Sequence, residues 1–294
     1  MKKFLMIPIL LFSLTYVNAQ DETKDEAESK SKDSETADAS GIEQDRASMA
    51  VDATATQWSF QLAYQSMPDY YDDIVNGEPR PAGMDDYLQL RVVAPIALKT
   101  LTLLPRLTLR HYENPQGQSG MGNTELFVLI IPKFSDWGSG RAGIGPLVTA
   151  PGNKDVAKDE WGYGFAAAIV NNTGKFFYGL LFTQSWRAID PNALPEGSSD
   201  TNPLGIAPFV NYRIGSKGWY VQTADIVAQY DWTSGHFYLP IGLRAGKVWV
   251  LEKASWNVYA EYKTSAIYKN WEGAAVKNSY RLNVSYTIPV GSKK

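Results

Sequence analysis

The chain has 294 residues, a formal net charge of −3 and no cysteine. Disulfides, cysteine-ligated metals and an acylated lipoprotein cysteine are therefore excluded, and no basic stretch offers a surface to nucleic acid. Tyr 17, Phe 11, Trp 9 and Gly 24 make the chain rich in aromatic and turn-forming residues. Its mean hydropathy is slightly negative, as expected of a barrel whose strands are polar on one side and whose loops are polar throughout.

Residues 1–19 have the pattern of a secretory signal peptide. Lys2 and Lys3 precede an apolar run, Phe4–Leu14, and the small-residue cleavage site Val17-Asn18-Ala19. Residues 20–50 read as an acidic, disordered tail, because Asp21–Asp45 is dense in Asp, Glu, Lys and Ser and has too little apolar surface to fold. Residues 51–294 read as one β-barrel. Beyond residue 20 the longest apolar run is Leu126–Ile131, far short of the roughly 20 residues that a membrane-spanning helix needs. A membrane position then requires a closed barrel, since open sheet edges are too costly in lipid.

The clearest element is Ser279–Val290. Tyr280, Leu282, Val284, Tyr286, Ile288 and Val290 alternate strictly with polar residues, which suits a strand with lipid on one side and a polar lumen on the other. The pattern recurs to give twelve expected strands: Ala55–Ser66, Asp86–Leu98, Leu101–Tyr112, Thr124–Phe134, Arg141–Ala150, Glu160–Val170, Lys175–Ala188, Leu204–Ile214, Gly218–Trp232, His236–Val250, Ala254–Ile267 and Ser279–Val290. Long and short connections alternate between them; only Thr233-Ser234-Gly235 is short where a long loop is due. The expected fold class is all-β, an antiparallel transmembrane barrel of about 12 strands with both termini in the periplasm. A soluble sandwich is disfavoured by Ala254–Ile267, which would place Glu261 and Lys263 side by side in an apolar core.

With the apolar faces on lipid, alternation assigns the lumen. Gln89 and Arg91 point inward on the second strand, and Arg106, Thr108 and Arg110 on the third. Asn211 and Arg213 follow on the eighth, Thr223 and Asp225 on the ninth, and Arg244 on the tenth. Glu261 and Lys263 on the eleventh and Arg281 and Asn283 on the twelfth complete the set. The expected constriction is Arg91, Arg106, Arg110, Arg213, Asp225, Arg244, Glu261 and Arg281. An excess of arginine in a wet lumen favours anionic or polar solutes; paired with Asp225, Glu261 and Glu125, the same arginines simply fill a narrow barrel. Trp58, Trp137, Trp161, Trp186, Trp219, Trp232, Trp256 and Tyr112 lie near strand ends, as interfacial girdles require.

No chemistry is implied. The two histidines, His111 and His236, have no Gly-x-Ser-x-Gly elbow to serve. The acids Asp69, Asp72, Asp73, Glu78, Asp85 and Asp86 fit no Ca²⁺ loop. No phosphate or dinucleotide fingerprint is present, so neither cofactor nor metal is expected.

Several segments carry a family resemblance: Gly120-Met121-Gly122-Asn123, Trp137–Pro146, Val170-Asn171-Asn172, Gln184-Ser185-Trp186, Pro208–Tyr212, Gly218-Trp219-Tyr220 and Pro240–Val248. On these the chain resembles the MetA-pathway-of-phenol-degradation family of outer-membrane proteins. The resemblance implies a transporter-like barrel, a channel for hydrophobic or aromatic compounds, and no catalytic motif. The acidic tail lies outside the family pattern, and the chain ends in Gly291-Ser292-Lys293-Lys294 where barrel-insertion signals usually finish on an aromatic residue. The expectation is a passive channel for small solutes in the outer membrane of a Gram-negative-type bacterium, with membrane lipid and solute as its partners. The alternative is a plugged barrel that binds or scaffolds through its surface loops.

Overall fold

The computed structural model describes residues 46–51, 55–71, 74–75, 78–79, 83–157, 159–187, 203–232, 234–271 and 275–290. The expected signal peptide and the tail as far as residue 45 lie outside the described residues. Twelve staves follow one another as an antiparallel meander. They are β1 (Gln57–Tyr70), β2 (Asp85–Val93, continued by Ile96–Ala97), β3 (Leu101–Glu113), β4 (Ser119–Met121 and Thr124–Pro132), β5 (Gly140–Ala150) and β6 (Gly162–Thr173). Then come β7 (Phe176–Arg187), β8 (Pro203–Ile214), β9 (Trp219–Thr223 and Ala228–Asp231), β10 (Phe237–Val250), β11 (Ser255–Ile267) and β12 (Val276–Pro289). β12 pairs back onto β1 from Gln57↔Pro289 to Tyr70↔Val276, so the sheet has no free edge. The fold is the transmembrane barrel that alternation indicates.

Closure follows from strand chemistry. On β1 the polar Gln57, Ser59 and Gln65 are buried, whereas Trp58, Phe60, Leu62 and Tyr64 between them are exposed. β12 repeats the scheme, with Ser279, Arg281, Asn283, Ser285 and Thr287 inside and Tyr280, Leu282 and Val284 outside. Leu282 is 63% exposed and Leu243 62%, an arrangement that water would oppose and hydrocarbon favours. An exposed belt of Leu62, Leu90, Ile144, Ile169, Leu243 and Val284 runs round the outside. Aromatic girdles flank it: Trp58, Trp137, Trp219, Trp249 and Trp256 at the end where β1 starts and β12 finishes, and Trp161, Tyr163, Trp186 and Trp232 at the other. Lys247 stands among the first group, with Nζ 5.1 Å from the ring centres of both Trp219 and Trp249. Tyr112 does not join the girdle expected of it. It points into the lumen and packs on Tyr87, ring centres 5.0 Å apart, because it lies on the parity of Arg106 and Arg110.

Strands of 14 residues in β1, β10 and β12 exceed the roughly 9–11 needed to cross, so the wall rises beyond the lipid. At the far rim the acids are used locally. Tyr64 Oη donates to Asp86, Tyr70 to Asp85, and Asn278 Nδ2 to Asp69. Asp72 and Asp73, expected beside them, lie outside the described residues. At the near end α1 (Arg46–Val51) packs against the inner wall, with Ala50 among Tyr220, Val248 and Tyr259. Gln57 Nε2 donates to the Met49 carbonyl, tying the helix to the start of β1.

β5 and β6 depend on glycine where backbones come close. A Cβ at Gly164 would stand 1.7 Å from the Gln184 carbonyl oxygen, and one at Gly145 1.8 Å from that of Val128. Gly174 instead opens the two-residue β6–β7 turn at φ +58 with free space around it. Gly164→Val should therefore lower barrel stability by roughly 3 kcal/mol or prevent closure, while Gly174→Ala costs about 1 kcal/mol. Urea-induced loss of heat-modifiable mobility on electrophoresis measures both; equal midpoints for the two variants would refute the close-approach account.

Candidate functional site

The site is the middle of the lumen, and it is built by an irregularity. β9 leaves the ladder between Ala224 and Val227. Ala224 N–H reaches the Gly242 carbonyl at 3.0 Å and Ile226 N–H turns back to the Ala224 carbonyl at 2.7 Å. On either side the pairing slips by one residue: Asn211 faces Gln222 but Ile206 faces Ala228, and Thr223 faces Leu243 but Gln229 faces Tyr238. Pro208 on β8 and Pro240 on β10 lie opposite the break, where a residue without an N–H loses nothing to an interrupted ladder.

The break carries Asp225 inward. Its carboxylate meets Arg91 Nη2 of β2 at 3.5 Å and Arg281 Nη1 of β12 at 3.4 Å, so a residue of β9 is joined to the opposite wall. Its backbone N–H donates to Glu261 Oε2 at 2.9 Å, and its carbonyl accepts from Lys263 Nζ at 3.1 Å. Glu261, with no exposed side-chain surface, faces Arg244 Nε at 3.3 Å and Lys263 Nζ at 3.5 Å. Arg244 also donates to the Thr223 carbonyl at 3.2 Å and lies over the Tyr259 ring at 4.6 Å.

Two arginines are handled differently. Arg106 Cζ sits 4.7 Å above the Phe127 ring, and Arg110 Nε donates to Gln89 Oε1 at 3.0 Å. Among the described residues neither has a carboxylate within ion-pair distance. Both line a cavity of about 420 Å³ with Arg91, Arg244, Lys263, Arg281, Glu125 and Asp225. That volume lies within the range of roughly 300–1,000 Å³ usual for small-ligand sites.

From β2 to β5 the inner wall is also apolar between its charges. Val93, Leu104, Phe127, Leu129, Ile131 and Leu147 are buried on the inner faces of β2 to β5, continued by Ala166, Ala168 and Leu181. Alternation alone missed this wall, because it took the inner face to be polar everywhere. The signal was the unbroken Leu126–Ile131 run, which is apolar on both faces and so reports a strand covered on both sides.

Of the expected constriction residues, Arg91, Asp225 and Arg281 form one ion-paired group and Arg244 and Glu261 another, joined through the Asp225 backbone. Arg106 and Arg110 lie beside the first group on β3, flanking the position that pairs with Arg91. Arg213 stands apart at the near end of β8, where its guanidinium donates to the Gly174 carbonyl. Thr223 is a correction. It pairs with the outward Leu243, and Gln222 is the residue that faces in beside Arg244. Strict alternation put Thr223 and Asp225 on one face; Asp225 arrives inside only because the strand breaks between them. The histidines do not meet. His111 is exposed on β3, and Ser234 Oγ donates to Asp231 at 3.0 Å while His236 offers Ser234 only its backbone N–H at 3.3 Å.

The geometry has solved counterparts. The chain is similar to an outer membrane channel from Pseudomonas putida F1, with 18% identity over 79% of this chain and 95% of that one, at a TM-score of 0.54. Weaker matches are the beta domain of a Bordetella autotransporter (13% identity, 79% and 98% covered, TM-score 0.41) and outer membrane phospholipase A from Escherichia coli (11%, 79% and 96%, TM-score 0.42). The first of these shows the barrel fold. No family model matches the chain and no curated protein does, so the MetA-pathway resemblance rests on its motif residues.

Burial separates the two carboxylates. Glu261→Gln leaves Arg244 and Lys263 without a counter-charge in a fully buried setting and should cost about 3–5 kcal/mol. Asp225 is 29% exposed, so water already weakens its pairs with Arg91 and Arg281 from its own side, and Asp225→Asn should cost less than Glu261→Gln. Urea titration of the folded, reconstituted barrel checks the order; a larger loss in Asp225→Asn would reverse the assignment.

Proposed function

We propose that the chain is an outer-membrane barrel that lets small solutes diffuse passively across the outer membrane, exported there by its N-terminal signal segment. The observation that carries this reading is the cavity of about 420 Å³ inside a closed wall, narrowed by a strand that folds inward. A barrel built only as a scaffold has no need for Asp225 to cross the lumen. Its field is set by charges held in place, so passage selects by charge and width without any chemical step. No cofactor, metal or catalytic group belongs to this reading. Hydrophobic or aromatic compounds, implied by the family resemblance, are candidate solutes, and the apolar wall at Phe127 and Leu129 is compatible with them.

A plugged barrel that works through its surface loops is the second reading, and α1 supports it. The helix occupies the near end of the lumen against Tyr220, Val248 and Tyr259. The two readings part in a planar bilayer. The refolded mature protein and a variant lacking residues 20–51 are compared for single-channel steps, with heat-modifiable mobility as the check of folding. Steps in both support the channel, and steps only after truncation make the N-terminal segment a plug. Silence from both folded proteins would overturn the channel reading. In the conducting form, Arg106→Gln with Arg110→Gln should move the reversal potential in a salt gradient toward cation preference.

A further inference from the structure

The cavity has two chemically distinct sides, and the polar side is unbalanced in one direction. Asp225 is shared by Arg91 and Arg281, and Glu261 by Arg244 and Lys263. Four cations thus consume two carboxylates, while Arg106 and Arg110 have none in ion-pair contact among the described residues. Glu125 is the one other acid on the cavity wall.

Hydrogen bonding shows the same bias. The buried, unpartnered polar atoms on cavity-lining residues are Arg91 Nε, Arg106 Nε, Arg281 Nε and Nη2, and Ser279 Oγ. Four are guanidinium donors and the fifth is a hydroxyl that can donate. The unpartnered inward acceptors Glu261 Oε1, Asn211 Oδ1 and Asn283 Oδ1 belong to residues that do not line the cavity. Arg281 is 2% exposed and Arg91 9%, so bulk water does not serve their donors freely. Buried donors of this kind are matched by an acceptor that carries charge and no hydrogen. Beside them, Val93 and Leu104 stand next to Arg91 and Arg106 on β2 and β3, and Phe127, Leu129 and Leu181 extend the hydrocarbon round the wall. Arg106 spans the two sides, with its guanidinium on the Phe127 ring and its Nε unpartnered.

We propose that the lumen cavity is a binding site for small organic anions with an apolar body: a carboxylate held by Arg106 and Arg110 and hydrocarbon laid on Phe127 and Leu129. The proposal deepens the channel reading by naming the solute class, yet binding at equilibrium does not depend on passage. An inorganic anion leaves the apolar wall unused. A neutral apolar molecule leaves the donors unmatched. The two halves of the ligand are recognised by adjoining groups on the paired strands β3 and β4, and a site built for both discriminates against an analogue lacking one.

The test uses the full mature chain in lipid nanodiscs and three probes in equilibrium dialysis. Hexanoate carries both features, hexanamide removes the charge, and acetate removes the apolar body. Hexanoate should bind in a 1:1 ratio, roughly tenfold or more tighter than either analogue, since one charge-assisted interaction accounts for about that factor. Arg106→Gln with Arg110→Gln should reduce hexanoate to the level of hexanamide, and Arg106→Lys with Arg110→Lys should recover part of the difference. Should the glutamine variant not fold, the three-probe comparison on the unaltered chain still decides. Equal binding of hexanoate and hexanamide, equal binding of hexanoate and acetate, or no binding by the folded barrel would each overturn the proposal. Conductance without hexanoate preference sinks this proposal alone; hexanoate binding by a barrel silent in the bilayer supports it and sinks the channel reading alone.

Discussion

The interior of this barrel depends on the contact of Asp225 with Arg91 and Arg281. A strand in a closed sheet must satisfy its N–H and C=O groups with its two neighbours, and in hydrocarbon no water replaces a missing partner. β9 gives up that satisfaction over a few residues. What offsets the loss is local and electrostatic. The freed Asp225 N–H is taken by Glu261, its carbonyl by Lys263, and its carboxylate by two arginines from the far wall. The kink and the network are therefore one structure. Without the carboxylate, the inward segment keeps its backbone bonds to Glu261 and Lys263 but loses its tie to Arg91 and Arg281; without the break, the carboxylate would point into lipid.

From that constraint the asymmetry of the lumen follows. Charges gather where Asp225 lands, on β10, β11, β12 and β2, and Glu261 is drawn in as the second anion. Cations outnumber anions there, so each carboxylate is multiply bonded and fixed, which suits a permanent field better than a mobile one. β3 and the strands beyond it add Arg106, Arg110 and Glu125 to the cavity wall and are otherwise apolar. Their inner face is filled with Leu104, Phe127, Leu129 and Leu147, which pack without needing partners. A narrow barrel can fill its interior in either way; this one uses both, and they meet on β2 to β4.

The sequence made the shell legible and concealed the break. Twelve strands, their turns, and the inward placing of Arg91, Arg106, Arg110, Arg244, Glu261 and Arg281 all come from period-two alternation. That pattern is reliable because a one-residue slip would turn an arginine toward lipid. β9 defeats the method. Gly218–Trp232 reads as one strand, since no residue within it is a strong breaker; the marks of the interruption are on its neighbours, at Pro208 and Pro240. The apolar wall was hidden for another reason. Hydrophobic residues on a lumen face look the same in sequence as residues facing lipid, and only their sum with the outer face, as in Leu126–Ile131, betrays them. Tyr112 and Thr223 were misplaced by position along the strand and by parity, respectively, and each error is local.

A lumen with both fixed cations and hydrocarbon on its wall also explains why α1 sits where it does. The apolar residues Ala50 and Val51 need a surface, and at the near end the wall offers Tyr220, Val248 and Tyr259. That patch touches the charged network at Tyr259, whose ring lies under Arg244, while Tyr220 turns its hydroxyl to Asn257 at 2.8 Å and packs its ring with the helix. The helix thus closes on an apolar patch while the arginines remain turned to the cavity. Occupancy of the near end and recognition in the middle are held by different residues, so the one can be altered without dismantling the other.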